Sequence, residues 1–228
     1  MTRDELSEVE VETRFEAALA VAGVVVLQVL LGLVSRAQGW SLWELPWWVW
    51  LVLVGPEVAL LILLTWSRPR RRLVETGRRR TVSLALVASV GLGNALALVT
   101  LLGSILSGEE QSGGQLLLKG TAIWTTNVVA FGLWFWELDR GGPMRRAEPD
   151  PPPPDFQFPQ MDDAGRSRGG WYPRLVDYVY VSFTNSLAFS PTDAMPLTRR
   201  LKLAMLTEAS VSSITVLLVA ARAINILA

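Results

Sequence analysis

The sequence predicts an all-α integral membrane protein, with about five transmembrane helices plus a short re-entrant or sixth membrane helix. Three observations predict it. Half of the 228 residues are hydrophobic and they fall in long blocks, not in the one-sided pattern of a soluble helix. Basic residues, nearly all Arg, cluster between the blocks, and the 10 Trp gather at several block ends.

Five blocks are long enough to cross about 30 Å of hydrocarbon at about 1.5 Å per residue. They are Ala17 to Val34, Trp47 to Trp66, Val82 to Leu106, Leu116 to Trp136 and Leu203 to Leu227. In lipid the backbone must satisfy its own polar groups, so each block is expected to be helical. The N-terminal MTRDELSEVEVETRFE is acidic where a signal peptide needs a basic start, and it reads as a short hydrated tail.

The loops set the expected orientation. SRPRRRLVETGRRR carries seven Arg, whereas SGEEQSGGQ carries no basic residue. The positive-inside rule then places the Arg-rich loop, the N-terminus and the segment after Trp136 in the cytoplasm of a multi-pass plasma-membrane protein. Trp43, Trp47, Trp48, Trp50, Trp134 and Trp136 fit interfacial positions.

Three regions are expected: a four-helix membrane region at 1–138, a Pro/Gly/Arg-rich cytoplasmic linker at 139–172, and a half-helix with the last transmembrane helix at 173–228. The four prolines Pro151 to Pro154 favour an extended linker, with Phe156 and Phe158 as the residues that could instead pin it into a groove. Leu175 to Phe189 is helical or strand-like in pattern and short for a crossing. Re-entry keeps Arg199, Arg200 and Lys202 cytoplasmic; a full crossing would place them outside.

Composition excludes much chemistry. There is no Cys and no His, so thiolate metal sites, disulfides, Ser-His-Asp triads and His-ligated haem are ruled out within this chain. With 21 basic and 21 acidic residues no overall field favours nucleic acid, and no cofactor motif is present. An intramembrane enzyme is therefore the weakest of three functional readings.

Ionisable residues inside spans are costly and mark candidate sites. Glu57 follows Gly55-Pro56 near mid-span; Glu208 and Arg222 lie in the last helix. Glu208, Ser212, Thr215, Val219 and Arg222 recur at helical spacing and share a face, with Asn94, Thr125, Thr126 and Asn127 as expected partners. Asn185 and Asp193 are candidates beside that face. Against each stands the reading that such groups are hydrogen-bonded packing contacts.

WELDRGGP (Trp136 to Pro143), DFQFPQ (Asp155 to Gln160, hence Asp155, Phe156, Phe158, Pro159 and Gln160), DYVYVSFTNSLAFSPTDAMPL and ARAINIL resemble an uncharacterised family of bacterial membrane proteins. That resemblance covers about the C-terminal 90 residues and implies bacterial origin and membrane location, but no activity. YVSFTNSLAFSPTDAMPLTRR is also similar to the pore region of tetrameric potassium channels, through Tyr180, Ser182, Phe183, Asp193, Pro196 and Arg200. The filter is missing: Ser190, Pro191 and Thr192 stand where glycine-dependent carbonyls would line the axis.

The leading expectation is thus a channel-like or transporter-like homo-oligomer for an ion or small solute, without potassium selectivity. The alternative is a non-transporting structural or regulatory membrane protein. Orientation is directly testable, because single-Cys variants need no background thiol removed. Gly113→Cys should react with an impermeant maleimide from outside, and cysteines at Arg70, Arg79 and Pro152 only from the cytoplasm. Cytoplasmic labelling at Gly113 would invert the topology.

Overall fold

A computed structural model describes residues 3–40, 48–66, 78–108, 112–162, 171–188 and 194–227. The molecule is predominantly helical. Its long helices are α1 (Arg3–Gln38), α2 (Trp48–Thr65), α3 (Arg79–Leu106), α4 (Gly113–Leu138) and, at the far end, α8 (Arg199–Leu227). Between α4 and α8 come a 3-10 turn at Asp139–Gly141, α5 (Pro143–Arg146), β1 (Phe156–Gln157), α6 (Pro159–Asp162), α7 (Leu175–Ala188) and β2 (Met195–Pro196).

Among the described residues, four stretches are long and apolar enough to cross a membrane: Phe15–Gln38, Arg79–Leu106, Gly113–Gly141 and Arg199–Ile226. The second expected span forms helix α2, of which Val54–Thr65 is an apolar stretch shorter than a crossing. The acidic tail differs from expectation, since α1 is already helical from Arg3. Leu175–Ala188 resolves to a helix of 14 residues, not a strand.

The chain divides into two compact units. The first comprises Met1–Leu19 and Val128–Ser210; the second comprises Ala20–Asn127 and Val211–Ala228. In the second, Leu98, Leu101, Leu116, Ile123, Val219 and Ala223 make a continuous apolar core. Apolar contact is what such helices can share once their backbones are internally bonded.

The first unit corrects the expectation of a solvated linker. Phe156 and Phe158 are 0% and 2% exposed, and their rings join Phe135, Tyr178 and Trp171 in one aromatic cluster. Phe135 meets Phe156 edge-on at 5.5 Å, and Phe158 meets Tyr178 edge-on at 5.4 Å. Two buried aromatics outweigh the solvation that the neighbouring prolines favour, because each hides a large apolar area. The strands then fix this segment against β2: Phe156 pairs antiparallel with Pro196 and Gln157 with Met195, and the Leu197 N–H donates to the Asp155 carbonyl at 2.8 Å.

Helix α7 packs directly on the backbone of α4. A Cβ at Gly132 would lie 2.7 Å from Val179 Cγ2 and 2.9 Å from its Cα, so no larger residue fits without displacing main chain. Gly132→Ala should therefore destabilise the protein by about 1 to 3 kcal/mol, read as a lowered thermal midpoint in detergent. An unchanged midpoint would show that α7 does not hold this position.

Candidate functional site

Two kinds of buried polar constellation emerge. One lies among the helices of the second unit. Gln28 Nε2 on α1 donates to Glu57 Oε1 on α2 at 3.4 Å, and Glu57 is fully buried against α3. Asn94 on α3 donates to Asn127 Oδ1 on α4 at 3.4 Å, and Asn127 donates to Ser212 Oγ on α8 at 3.0 Å. A cavity of about 20 Å³, room for one water, is lined by Gln28, Gly93, Asn94 and Thr126 among apolar neighbours. The expected partnership of Asn94 and Asn127 with the last helix thus forms, through Ser212.

Thr215 is buried too, but its hydroxyl donates to the Val211 carbonyl of its own helix at 2.8 Å. Arg222 is half-buried and reaches Asn225 at 3.5 Å, again locally. Neither is drawn into the Asn127 chain. Lys119 on α4 was passed over in the sequence, where it carries the same signal as Glu57 and Glu208. It is fully buried, with its ammonium 5.9 Å from the Trp40 ring centroid, a cation–π contact.

The first unit holds Glu208. It accepts hydrogen bonds from Asn185 Nδ2 at 2.8 Å and from the Ser182 hydroxyl, and Asn185 also donates to the Met205 carbonyl at 3.0 Å. Ser182 lies 2.7 Å from the Val128 carbonyl as well. Asn185 and Glu208 are therefore brought together as expected, with Ser182 as the third member. Ser190, Pro191, Thr192 and Asp193 lie outside the described residues, as do Trp43, Trp47 and most of the Arg-rich loop.

The family-like motif is organised by two aspartates. Asp139 follows α4 and is fully buried; its Oδ1 accepts the N–H groups of Asp155 (2.8 Å) and Phe156 (3.2 Å), and its Oδ2 accepts the Tyr178 hydroxyl (2.5 Å). Arg146 lies 4.0 Å from the same carboxylate and donates to the carbonyls of Trp136 (2.5 Å) and Asp139 (2.9 Å). The guanidinium faces the rings of Tyr178, Trp136 and Tyr172, at 5.0, 5.9 and 5.9 Å. Planar Arg is suited to that stacking. Burial pushes the Tyr172 hydroxyl above its usual range, and it donates to the Pro143 carbonyl at 2.7 Å.

Asp155 closes the arrangement. Its carboxylate accepts the Arg140 N–H at 2.9 Å and a two-pronged contact from Arg200 at 2.5 and 3.0 Å, while Arg200 also reaches the Leu138 carbonyl at 3.2 Å. The turn that presents these groups needs left-handed backbone: Arg140 has φ 52°, Gly141 81° and Gly142 101°. The two glycines make it cheap, and the Asp155 contact secures Arg140. Pro159 and Gln160 are exposed at the start of α6, so they follow Phe158 without joining its cluster.

Burial alone would raise the Asp155 carboxyl, but the hydrogen bonds from Arg200 and the Arg140 N–H outweigh it and hold the group below its ordinary value of 3.8. Its contribution to stability is present above that value and is lost as pH falls through the lower folded-state value. Since the Arg200 side chain is 52% exposed, solvent weakens the pair. Asp155→Asn should cost about 1 to 2 kcal/mol near neutrality and should blunt the acid-induced loss of stability. Identical acid unfolding of variant and wild type would remove this role.

Among the described residues no group of three or more acidic side chains converges to hold a metal ion. In comparisons with known proteins, no family model, no curated protein and no solved structure matches this chain.

Proposed function

We propose that this chain is a multi-pass membrane protein, with α2 as a fifth crossing, that moves small ions or solutes across the bilayer without selecting potassium. One observation carries the reading. Gln28, Glu57, Asn94, Asn127 and Ser212 come from five different helices and are joined by hydrogen bonds within the second unit, and two of them, Gln28 and Asn94, line a water-sized cavity. Polar side chains in spanning helices are costly against lipid and are retained where they face a hydrated path or one another. The outward faces support the membrane setting: Val26, Leu30, Leu33, Leu92, Val99, Leu217 and Ile224 are exposed and apolar.

Glu208 supports a different role. With Ser182 and Asn185 already upon it, it is a packing contact that ties α7 to α8 within the first unit, worth about 1 kcal/mol. That observation favours the structural alternative for the first unit, with α7 as a braced helix and not a pore lining.

Flux in proteoliposomes tests the proposal. Vesicles holding the wild-type protein should dissipate sodium, potassium or proton gradients, with sodium and potassium treated alike. Asn127→Leu should lose most of that flux, whereas Glu208→Gln should retain it. Vesicles as tight as protein-free controls would overturn transport and leave the structural alternative.

A further inference from the structure

Glu57 differs from every other carboxyl described above in what surrounds it. It is 0% exposed and fixed in α2 directly after Pro56. A long 3.4 Å contact from Gln28 reaches its Oε1, and its Oε2 has no partner among the described residues. Gln28 Oε1 is likewise buried without a partner. Two side chains in contact with each other thus each hold an acceptor oxygen without a partner among the described residues, and an acceptor is satisfied only by a hydrogen or a cation.

The neighbourhood leaves that role unfilled. Gln28 and Gly93 line the adjoining cavity, and Glu57 Oε1 lies 3.5 Å from where a Gly93 Cβ would be. One N–H of the Asn94 amide donates to Asn127. No Lys or Arg is among the lining residues. Leaving a buried acceptor bare is costly, more so where charge is involved, so an electropositive occupant is favoured. A volume of about 20 Å³ admits a single water or a stripped ion, and nothing of solute size.

We propose that Glu57 and Gln28 form a binding site for one small monovalent cation, a proton or an alkali ion, exchanging through the cavity beside Gly93. This deepens the transport reading by naming what the second unit carries. Glu208 shows the contrast: buried to the same degree, it already holds Ser182 and Asn185.

Dicyclohexylcarbodiimide, an apolar reagent for carboxylic acids in lipid-facing or cavity-linked sites, provides the test. The acid adds its O–H across one C=N bond, and the O-acylisourea rearranges to a stable N-acylurea that peptide mass spectrometry locates. In the full chain in liposomes, Glu57 should be modified well ahead of Glu208. Sodium chloride slowing that modification, with choline chloride inert, would assign an alkali ion; a rate answering to pH but not to sodium would assign a proton. Gly93→Val, which fills the space beside Oε1, should slow modification while the protein keeps its elution volume. No adduct at Glu57, or labelling no faster than at Glu208, would overturn the site. Labelling in vesicles that show no flux would keep the site and remove transport; flux with Glu57 unlabelled would do the reverse.

Discussion

The buried carboxylate of Asp139 is the constraint on which the first unit depends. A carboxylate taken out of water must have its lone pairs met, and here they are met by two consecutive backbone N–H groups and a tyrosine hydroxyl. Those three donors lie 16, 17 and 39 positions from Asp139 in the sequence, so satisfying one side chain draws α4, β1 and α7 together. The aromatic cluster then fills the space the polar contacts define. Removing the rings would cost packing; removing Asp139 would leave the donors themselves unmet.

How much of this was legible in the residues depended on what kind of force placed them. Apolar block length is a local property, and it located α2, α3, α4 and α8 to within a few positions, whereas α1 begins well ahead of its block, at Arg3. Charge in a span is also local: Glu57 and Glu208 are visible by it, and Lys119 carries the same signal in its own block. The burial of Phe156 and Phe158 depended on a receptacle built by Phe135, Trp171 and Tyr178, residues remote in the chain. Prolines beside them spoke for an extended path, and the path is extended; what composition could not report was that it runs over a matching surface. Likewise the shared face of Glu208, Ser212, Thr215 and Arg222 was readable from spacing, but not that each would meet a different environment.

The two buried glutamates illustrate that burial and function are separate properties. Glu208 has hydrogen-bond donors from α7 and is chemically closed. Glu57 has one distant amide, a free oxygen and a cavity beside its neighbour. Similar side chains in similar helices thus differ in whether anything remains for them to bind. The unsatisfied group is the informative one, because native interiors leave few such atoms without a reason.

The Asp155–Arg200 contact has a consequence for biosynthesis. Its partners are 45 residues apart, and at about 5 to 20 residues per second Arg200 follows Asp155 from the ribosome by roughly 2 to 9 seconds. During that interval the aspartate, its strand and the strained turn at Arg140 exist without the cation that secures them. The contact therefore closes only once the start of α8 has been made.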